Sequence, residues 1–433
     1  MVKDIQLVTA PSATPQGFRG GGGSSVNTPI DVSRLSELLF SHPDRSFVNF
    51  LINGFAHGFD LGYRGPITDG CQRNLLSARS HHAEVSAALA KEVARGHTLG
   101  PFASPPFPVL HVSPLGAVVK KDSTYRIILD LSSPRGESVN EGISREEYSV
   151  RYQGFDEAVD LVRSLGAGTV MAKVDIKHAF RLCPVRPQDF QLLGMRWDNQ
   201  FYIDTRLPFG GRSSPFIFNS FADALAWILV FVCGIPYILH YLDDFFVAAC
   251  RGTGMCKEYI LLIRETFSYL GVPIAEDKLE GPATCLTYLG IEVDSDDMVI
   301  RLPEEKLVEL KAFLSSWVGK RRCTKRHLLS MIGKLSFADK VVKPGRLFLR
   351  RLIDLAKTVA RLNHHIVISS EAREDILWWH QFLCTWNGVS LIQEPIVDSD
   401  KFTLFTDASG TLGFGGLFRT HWFSSTWPTA FTL

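Results

Sequence analysis

The stretch YILHYLDDFFVAA, residues 237–249, holds two adjacent carboxylates, Asp243 and Asp244, inside an otherwise apolar and aromatic run. Apolar residues on both sides predict a buried strand or a tight hairpin with the acids at its centre. Taken alone, the pair is explained by a polar hairpin turn, because Asp is common in turns. The alternative is that two like charges are kept together to bind a group of opposite charge.

A further carboxylate, Asp175, lies near the end of the strand predicted by GTVMAKVDI (168–176). If the two strands are neighbours, the three carboxylates converge, and without partners they would repel one another and resist ionising. A divalent cation that prefers hard oxygen ligands, Mg²⁺, resolves this repulsion. Two such ions about 4 Å apart can activate one oxygen and stabilise a leaving one, which suits phosphoryl or nucleotidyl transfer.

The overall composition is that of an ordinary globular protein. The 433 residues are 45% hydrophobic and 21% charged with a net charge of +1, which allows roughly two to four domains. The eight cysteines form no CxxC pair, which argues against zinc, and the N-terminus has no apolar signal-peptide core. We therefore expect an intracellular protein with free thiols. The apolar run 224–239 contains Gly234 and Pro236 and predicts a buried helix followed by a buried strand, not a membrane span.

Local patterns predict a mixed α+β chain. Three helices follow a Gly- and Ser-rich leader, and the Pro-rich LGPFASPPFPVLHVSP (99–114) is predicted to lack regular structure. GAVVKKDSTYRIILDL (116–131) predicts a hairpin, and TYLGIEVDS (287–295) predicts a strand. Helices dominate after residue 301, and KFTLFTDASGTLGFGGLF begins a β-rich unit that THWFSSTWP extends.

Five segments decide the family to which the chain is similar. VDIKHAF, LPFGGRSSPFIFN, YLDD, EDK and YLGIEV occur in the order and approximate spacing of the palm motifs of reverse transcriptases. KKDSTYRIILDLS resembles the fingers hairpin of that family, and the resemblance covers about 104–296. RSHHAEVSAALAKE and FTDASGTLGFGG make the chain most similar to DIRS-like retrotransposon polyproteins, which encode a tyrosine recombinase. The resemblance implies a right-hand polymerase fold with fingers, palm and thumb.

The same resemblance implies a domain order. It comprises a disordered leader 1–28, an N-terminal helical extension and linker 29–103, fingers and palm 104–296, a basic helical thumb 297–370, a connection 371–400 and a ribonuclease H-like start 401–433. FTDASGTLGFGGLF resembles the first strand pair of ribonuclease H, with Asp407 as the first metal-binding acid of that family. Because the later acids of that family would follow Leu433, we expect this unit to be truncated and inactive.

The resemblance assigns the chemistry to the three carboxylates. Asp175 and Asp243 would hold two Mg²⁺ ions, with Mn²⁺ as an alternative, and Asp244 would lie nearer the primer end. A primer 3′-hydroxyl would attack the α-phosphate of a dNTP and release pyrophosphate, with one metal lowering the pKa of the hydroxyl and the other neutralising the triphosphate. The backbone amides that would cradle phosphate oxygens are those of Lys177, His178 and Ala179.

Other residues are assigned to the nucleotide. Phe180 stands where the family has an aromatic residue that blocks the 2′-position of a ribonucleotide, although an isolated Phe is more often simply core. Arg126 would bind phosphate, and Lys120 and Lys121 either share this role or form a solvated hairpin surface. Lys278 of the EDK segment would protonate pyrophosphate, unless it is an exposed loop lysine.

The remaining implied contacts surround the nucleotide and the duplex. Phe209 stands where retroviral enzymes often carry Gln, so the hydrogen bond expected of that Gln is absent. Gly210 would line the nucleotide, and the implied primer and template contacts are Pro208, Tyr241, Leu289 and Gly290.

The thumb segment is strongly basic. Residues 301–351 hold 14 Lys or Arg against 4 Asp or Glu, whereas the whole chain is close to neutral. Such one-sided charge on helices suits a nucleic-acid backbone, although exposed charged helices are also common.

These observations predict an RNA-directed DNA polymerase of a retrotransposon. Its partners would be an RNA template, a DNA primer or RNA–DNA hybrid, and dNTPs, without a membrane. The alternative is a decayed or domesticated remnant that binds hybrid without turnover. An RNA-templated RNA polymerase is disfavoured by Phe180. Nothing in the sequence indicates an oligomeric state.

Overall fold

The computed structural model describes residues 26–119, 124–386, 390–391 and 404–427. It divides into two compact units, the first ending at Asp297 and the second beginning at Met298. Lys120, Lys121, most of the predicted leader and residues 392–400 of the predicted connection lie outside the described residues.

The first unit contains both helices and strands. Its helices are α1 (Val32–Leu38), α2 (Arg45–His57), α3 (Leu76–Arg79), α4 (His82–Ala94), α5 (Phe155–Leu165), α6 (Ala179–Leu182), α7 (Ser214–Phe231) and α8 (Met255–Leu270). Its strands are β1 (Gly70–Cys71), β2 (Thr98–Phe102), β3 (His111–Val112), β4 (Leu115–Val119), β5 (Tyr125–Leu129), β6 (Val170–Asp175), β7 (Gly194–Trp197), β8 (Gln200–Asp204), β9 (Ile238–Tyr241), β10 (Asp244–Ala249), β11 (Glu280–Ala283), β12 (Cys285–Tyr288) and β13 (Ile291–Asp294).

A central antiparallel sheet carries Asp175 at the end of β6 and Asp244 at the start of β10. Its strand order is β11-β6-β10-β9, so the YLDD hairpin lies beside the strand that ends at Asp175. Phe245 and Val247 of β10 are fully buried, and α8 packs against β10 and β6. Burying each large apolar side chain contributes roughly 1.5–3 kcal/mol, so these arms hold the hairpin firmly in place. The predicted β4–β5 hairpin, strand β6 and helix α7 are confirmed.

The N-terminal helices share the hydrophobic core of this sheet. Asp44 caps α2 by accepting a hydrogen bond from the backbone N–H of Phe47 at 2.9 Å. The ring of Phe55 on α2 then packs on Phe221 of α7, with centroids 4.7 Å apart. Segment 29–103 is therefore built into the first unit and does not form a core of its own.

Helix α7 is apolar on all sides, which is typical of a helix buried in a core. Within the described residues it is the one helix that is long and apolar enough to cross a membrane, and 61% of it is buried against the rest of the protein. A turn and strand β9 follow it; the buried helix is as predicted, whereas β9 is half-buried, with His240 the one buried residue of its four.

The prediction that 99–114 lacks regular structure is wrong. Strands β2 and β3 lie there, in a sheet of order β1-β3-β7-β8-β2. Pro101 is tolerated because β2 is an edge strand whose register with β8 shifts between Leu99 and Phe102.

The prediction of one strand over 287–295 is also wrong. The chain makes a hairpin, with Tyr288 of β12 paired to Ile291 of β13. Leu289 and Gly290 form its turn with φ 46° and 80°. Two consecutive positive φ values are the requirement of a tight two-residue hairpin turn, and Gly290 was the signal in the sequence.

The second unit is mainly helical. Its elements are α9 (Glu304–Ser315), α10 (Lys325–Ala338), α11 (Arg350–Lys357), α12 (Ser370–Thr385), β14 (Val299–Arg301), β15 (Arg322–Thr324), β16 (His365–Val367), β17 (Ser390–Leu391), β18 (Leu404–Ala408), β19 (Gly413–Phe418) and β20 (His421–Thr426). Trp379 of α12 is fully buried at its centre, and Gly345 lies so close to that ring that a Cβ would be 2.3 Å from it. The predicted third strand over THWFSSTWP is confirmed as β20.

Candidate active site

The pairing of β10 with β6 brings Asp243 and Asp244 next to Asp175. Asp244 is the first residue of β10 and lies directly opposite Asp175 in the register, so it belongs to the strand. Asp243 lies in the turn after β9, and its carbonyl accepts a hydrogen bond from Ile176 N–H at 3.0 Å. The turn gives Leu242 a φ of 54°, a strained conformation for a residue with a side chain, and such strain is concentrated at functional sites.

Burial and the crowding of the acids raise the pKa of Asp243 and of Asp244. Burial and the charge of Asp175 raise the pKa of Asp243. Burial, with the charges of Asp243 and Asp175, raises the pKa of Asp244 to about 6, and a side-chain hydrogen bond joins Asp244 to Asp175. The carboxylates therefore carry more negative charge than the site stabilises by itself.

Lys278 supplies one compensating positive charge. Its Nζ donates to Oδ1 of Asp175 at 2.9 Å and to Oδ2 at 3.1 Å. Burial acts to lower the pKa of Lys278, but this hydrogen bond and the neighbouring acids raise it. Lys278 is thus an exposed lysine, as the alternative interpretation supposed, but it is also paired with Asp175.

The expected arrangement of three converging metal ligands is not observed. Within the described ranges, no group of three or more Asp, Glu, His or Cys side chains surrounds one point where a metal could bind. Asp175 and Asp243 line the same cavity, whereas Asp244 does not. The donor chemistry still fits a divalent cation, because the carboxylate oxygens are hard ligands and the raised pKa values of Asp243 and Asp244 indicate unneutralised charge.

Replacing Asp244 by Asn should stabilise the metal-free protein at pH 8. The pKa of Asp244 is about 6 in the folded protein against an ordinary value of 3.8, so the ionised side chain destabilises the fold above pH 6 and has no effect below pH 3.8. We expect the free energy of unfolding to rise by about 2 kcal/mol at pH 8 and to stay unchanged near pH 3. Urea unfolding in EDTA at both pH values measures this, with Asp160→Asn on the exposed face of α5 as control. Equal gains at both pH values would contradict the repulsion.

A cavity of about 880 Å³ opens beside the acids. The predicted site residues that line it are Asp175, Asp243, Arg126, Lys177, His178, Ala179, Phe180, Pro208, Phe209 and Lys278. Gly210, Tyr241, Leu289 and Gly290 do not line it. Tyr241 packs against the ring of Tyr152 at 4.9 Å, and Leu289 and Gly290 form the β12–β13 turn. Most of the residues predicted to bind the nucleotide therefore line the cavity, whereas of the predicted primer and template residues only Pro208 does.

One wall of the cavity is a stack of an arginine and aromatic rings. The guanidinium of Arg126 lies 4.7 Å from the ring centroid of Phe209. The ring of Phe180 stacks on Phe209 with centroids 5.3 Å apart and contacts Phe218 at 5.6 Å. Phe180 is therefore packed against the core and also faces the cavity, so the core and the ligand-facing interpretations both apply. Phe209 supports Arg126 through a cation–π contact, a role that Gln could not fill.

The turn after Asp175 departs from the predicted phosphate cradle. The backbone N–H of Lys177 donates to Pro273 O at 2.8 Å, which removes that amide from the cradle. His178 adopts φ 61°, and this turns the chain into α6. Burial, Arg95 and Lys177 lower the pKa of His178, so its imidazole is neutral at physiological pH.

Sequence reasoning missed the contribution of α4 to the cavity. Its residues Glu84, Ala87, Ala88, Leu89, Lys91 and Glu92 line the wall, with Arg95 just after the helix. Only the amphipathic pattern of this helix is visible in the sequence, and that pattern does not indicate which element the helix faces. Asn140 was also missed: its Nδ2 donates to Gly210 O at 2.9 Å and its Oδ1 accepts from Arg212 N–H at 2.8 Å, which fixes the loop after Phe209.

Asp407 lies in the second unit. It is on β18, opposite Gly415 of β19, and is exposed. It is also the one acid in 404–427, so a complete ribonuclease H ligand set is not present in those described residues.

The second unit presents the basic residues on exposed helix ends and turns. Lys320, Arg321 and Arg322 are exposed, and Lys320 lies over the ring of Trp317 at 4.8 Å. Several other cations of 301–351 are already engaged, as in the pair of Arg350 with Asp354 at 3.1 Å. The run 320–322 brings three exposed cations together in sequence and therefore suits contact with a phosphate backbone.

The segment that contains Asp175, Asp243 and Asp244 is similar to known proteins. Residues 118–293 match the family model described as "Reverse transcriptase (RNA-dependent DNA polymerase)". The Pro-Pol polyprotein of Simian foamy virus type 1 is 24% identical over 187 residues, which are 42% of this chain and 14% of the polyprotein. The chain thus spans a small part of that relative's length. The match and this relative support an RNA-directed DNA polymerase.

Solved structures of foamy viral protease-reverse transcriptase share the fold. The complex with dsDNA aligns with a TM-score of 0.56 and 15% identity, covering 94% of this chain and 83% of that chain. The complex with RNA/DNA hybrid aligns with a TM-score of 0.56 and 15% identity, covering 95% of this chain and 54% of that one. The predicted fold, a mixed α+β polymerase fold, is thereby confirmed.

Proposed function

We propose that this chain is the reverse transcriptase of a retroelement, which adds dNTPs to a primer 3′-hydroxyl on an RNA template. The observation that carries the proposal is the pairing of Asp175 with the YLDD hairpin beside a cavity that also holds Arg126, Phe180 and Lys278. The reverse transcriptase match over 118–293 supports the same activity.

The proposed mechanism gives each cavity residue one task. Asp175 and Asp243 would hold two divalent cations, Mg²⁺ or Mn²⁺, and these ions would lower the pKa of the primer hydroxyl and neutralise the triphosphate. Arg126 binds phosphate oxygens, and Phe180 packs against the sugar. Lys278 moves from Asp175 to the pyrophosphate and donates its Nζ proton as that group leaves.

The origin of the chain is a separate proposal. We propose that the chain comes from a retrotransposon polyprotein that acts inside the cell, on the basis of the resemblance of RSHHAEVSAALAKE and FTDASGTLGFGG to DIRS-like polyproteins. In the same way, β18–β20 with Asp407 support the start of a ribonuclease H-like unit.

The experiment that tests the function is primer extension on poly(rA)·oligo(dT). Incorporation of dTTP that requires Mg²⁺ or Mn²⁺ would support the polymerase. Binding of the hybrid without incorporation under either metal would leave the alternative, a remnant that binds RNA–DNA hybrid without turnover.

Charge reversal of the exposed basic run should weaken hybrid binding. Replacing both Arg321 and Arg322 by Glu is expected to lower affinity for RNA–DNA hybrid about tenfold or more at 100 mM salt and to reduce the salt slope by about two, because two phosphate contacts are lost. Fluorescence anisotropy over a salt series measures both quantities. The control reverses Arg251 and Lys257, two exposed cations of the first unit. An equal loss in the control would show that net charge alone matters.

A further inference from the structure

Arg181 is a buried arginine one residue beyond the predicted sugar-selecting ring. Its side chain is 9% exposed, and its Nη1 donates to Oδ2 of Asp204 at 2.8 Å. Its Nε donates to Oε2 of Glu92 at 3.1 Å. The backbone carbonyls of Leu207 and His97 lie 3.5 Å and 3.4 Å from its nitrogens. Arg181 therefore joins α6 to Glu92 of α4 and to Asp204 of β8. It also contacts the backbone of Leu207, which directly precedes Pro208 and Phe209 of the cavity wall.

The guanidinium is paired with two carboxylates, and Arg95 shares Glu92 with it at 3.3 Å. Burying an arginine is costly unless its charge and its hydrogen bonds are matched. Burial acts to lower the pKa of Arg181, but Asp204 and Glu92 raise it. Burial acts to raise the pKa of Glu92, but the hydrogen bond with His97 and the charge of Arg181 lower it to about 2. Glu92 therefore stays ionised near neutral pH and holds one side of the guanidinium with a fixed charge.

Helix α6 depends on such an anchor. It is a single turn, and helices of that length do not stabilise themselves. Cys183 N–H bonds to Phe180 O at 3.3 Å, and Leu207 N–H bonds to Cys183 O at 3.1 Å. The backbone that carries Phe180 and the backbone that leads to Phe209 are thus linked at the position where the guanidinium binds.

We propose that Arg181 is a positioning residue that fixes Phe180 against Phe209 and thereby sets the selection of deoxyribose over ribose. The inference rests on the proposed polymerase function. It makes the N-terminal helix α4 part of the nucleotide site, because Glu92 holds one side of the guanidinium. Without the contacts of Arg181, the rings of Phe180 and Phe209, whose centroids are 5.3 Å apart, would be free to move relative to each other.

The chain offers a matched control in a second arginine network. Arg186 pairs with Asp60 at 2.8 Å and with Asp189 at 3.0 Å. It also joins the N-terminal helical segment to the core, but neither it nor its partners line the cavity. Arg186→Met should therefore lower stability without changing nucleotide selection.

The test compares steady-state incorporation of dTTP and UTP by the wild type, Arg181→Met, Arg181→Lys, Glu92→Gln and Arg186→Met. For Arg181→Met we expect the KM for dTTP to rise about tenfold, kcat to change less than about threefold, and the preference for dTTP over UTP to fall about tenfold. Arg181→Lys keeps the charge but loses the fork, so it should recover part of the preference. Glu92→Gln should change the same two quantities in the same direction, to a smaller extent.

The outcomes separate this inference from the proposed function. Unchanged KM and sugar preference in Arg181→Met, or an equal change in Arg186→Met, would overturn the positioning role while leaving the polymerase intact. If Arg181→Met does not fold, Arg181→Lys and Glu92→Gln decide: a lowered preference for dTTP in either variant supports the role, and wild-type preference in both overturns it. No incorporation by the wild type would overturn the proposed function and this inference together.

Discussion

Incorporation of dTTP should fall by about 1,000-fold or more when Asp243 is replaced by Asn. Asp243 and Asp175 line the same cavity, and the backbone carbonyl of Asp243 bonds to the residue after Asp175. The amide keeps the size of the side chain but removes the charge that would hold a divalent cation at the primer hydroxyl, and charge stabilisation of this kind is worth several kcal/mol. Primer extension on poly(rA)·oligo(dT) with Mg²⁺ measures the loss.

Two controls make this result specific to the site. Asp160→Asn removes an exposed carboxylate on α5 and should retain wild-type activity. Hybrid affinity of Asp243→Asn should remain within about threefold of the wild type, because the proposed phosphate contacts of the basic run are untouched. Residual activity above about one tenth of wild type would refute the assignment of Asp243 as a metal ligand.

Replacing Phe180 by Val should admit ribonucleotides. The ring faces the cavity while it stacks on Phe209 and contacts Phe218, so its loss opens space at the nucleotide site and leaves the wall in place. We expect the preference for dTTP over UTP to fall about 100-fold, mainly through faster UTP incorporation, since removing a steric block relieves a clash that only the 2′-hydroxyl makes. The ratio of kcat/KM values for the two nucleotides measures the change.

The control for this variant is another half-buried phenylalanine. Phe216 of α7 packs on Phe50 and Tyr148 and does not line the cavity. Phe216→Val should cost stability and leave the preference for dTTP unchanged. If Phe180→Val discriminates as the wild type does, the ring is core and the assignment of sugar selection fails.

The sequence predicted local elements well and long-range neighbours less well. The β9–β10 hairpin, β6 and α7 follow from apolar runs and breakers that act over a few residues. The register that places Asp244 opposite Asp175 depends on pairing between segments about seventy residues apart, which periodicity does not encode. The expectation that these two segments are neighbours came from the resemblance to reverse transcriptases, whose motifs occur in the same order.

The errors have physical causes of the same kind. Pro101 suggested an irregular connector, but an edge strand tolerates a missing N–H. The participation of α4 in the cavity and the anchoring of Arg181 by Glu92 arise from packing between distant segments. The three acids were expected to converge on one point, but the ion pair of Asp175 with Lys278 and its hydrogen bond with Asp244 occupy that carboxylate instead.

The shared core of α2 and α7 limits where the chain can be divided without exposing apolar surface. Asp31 N–H bonds to Leu270 O at 3.0 Å, and Phe55 packs on Phe221, so the faces of α7 and α8 are covered by helices encoded far upstream of the matched segment 118–293. A fragment trimmed to that segment would expose these faces and aggregate. An exchange of segments between related chains should therefore keep this core intact when its boundary lies upstream of α1, so that the N-terminal helices stay with the sheet that carries Asp175 and Asp244.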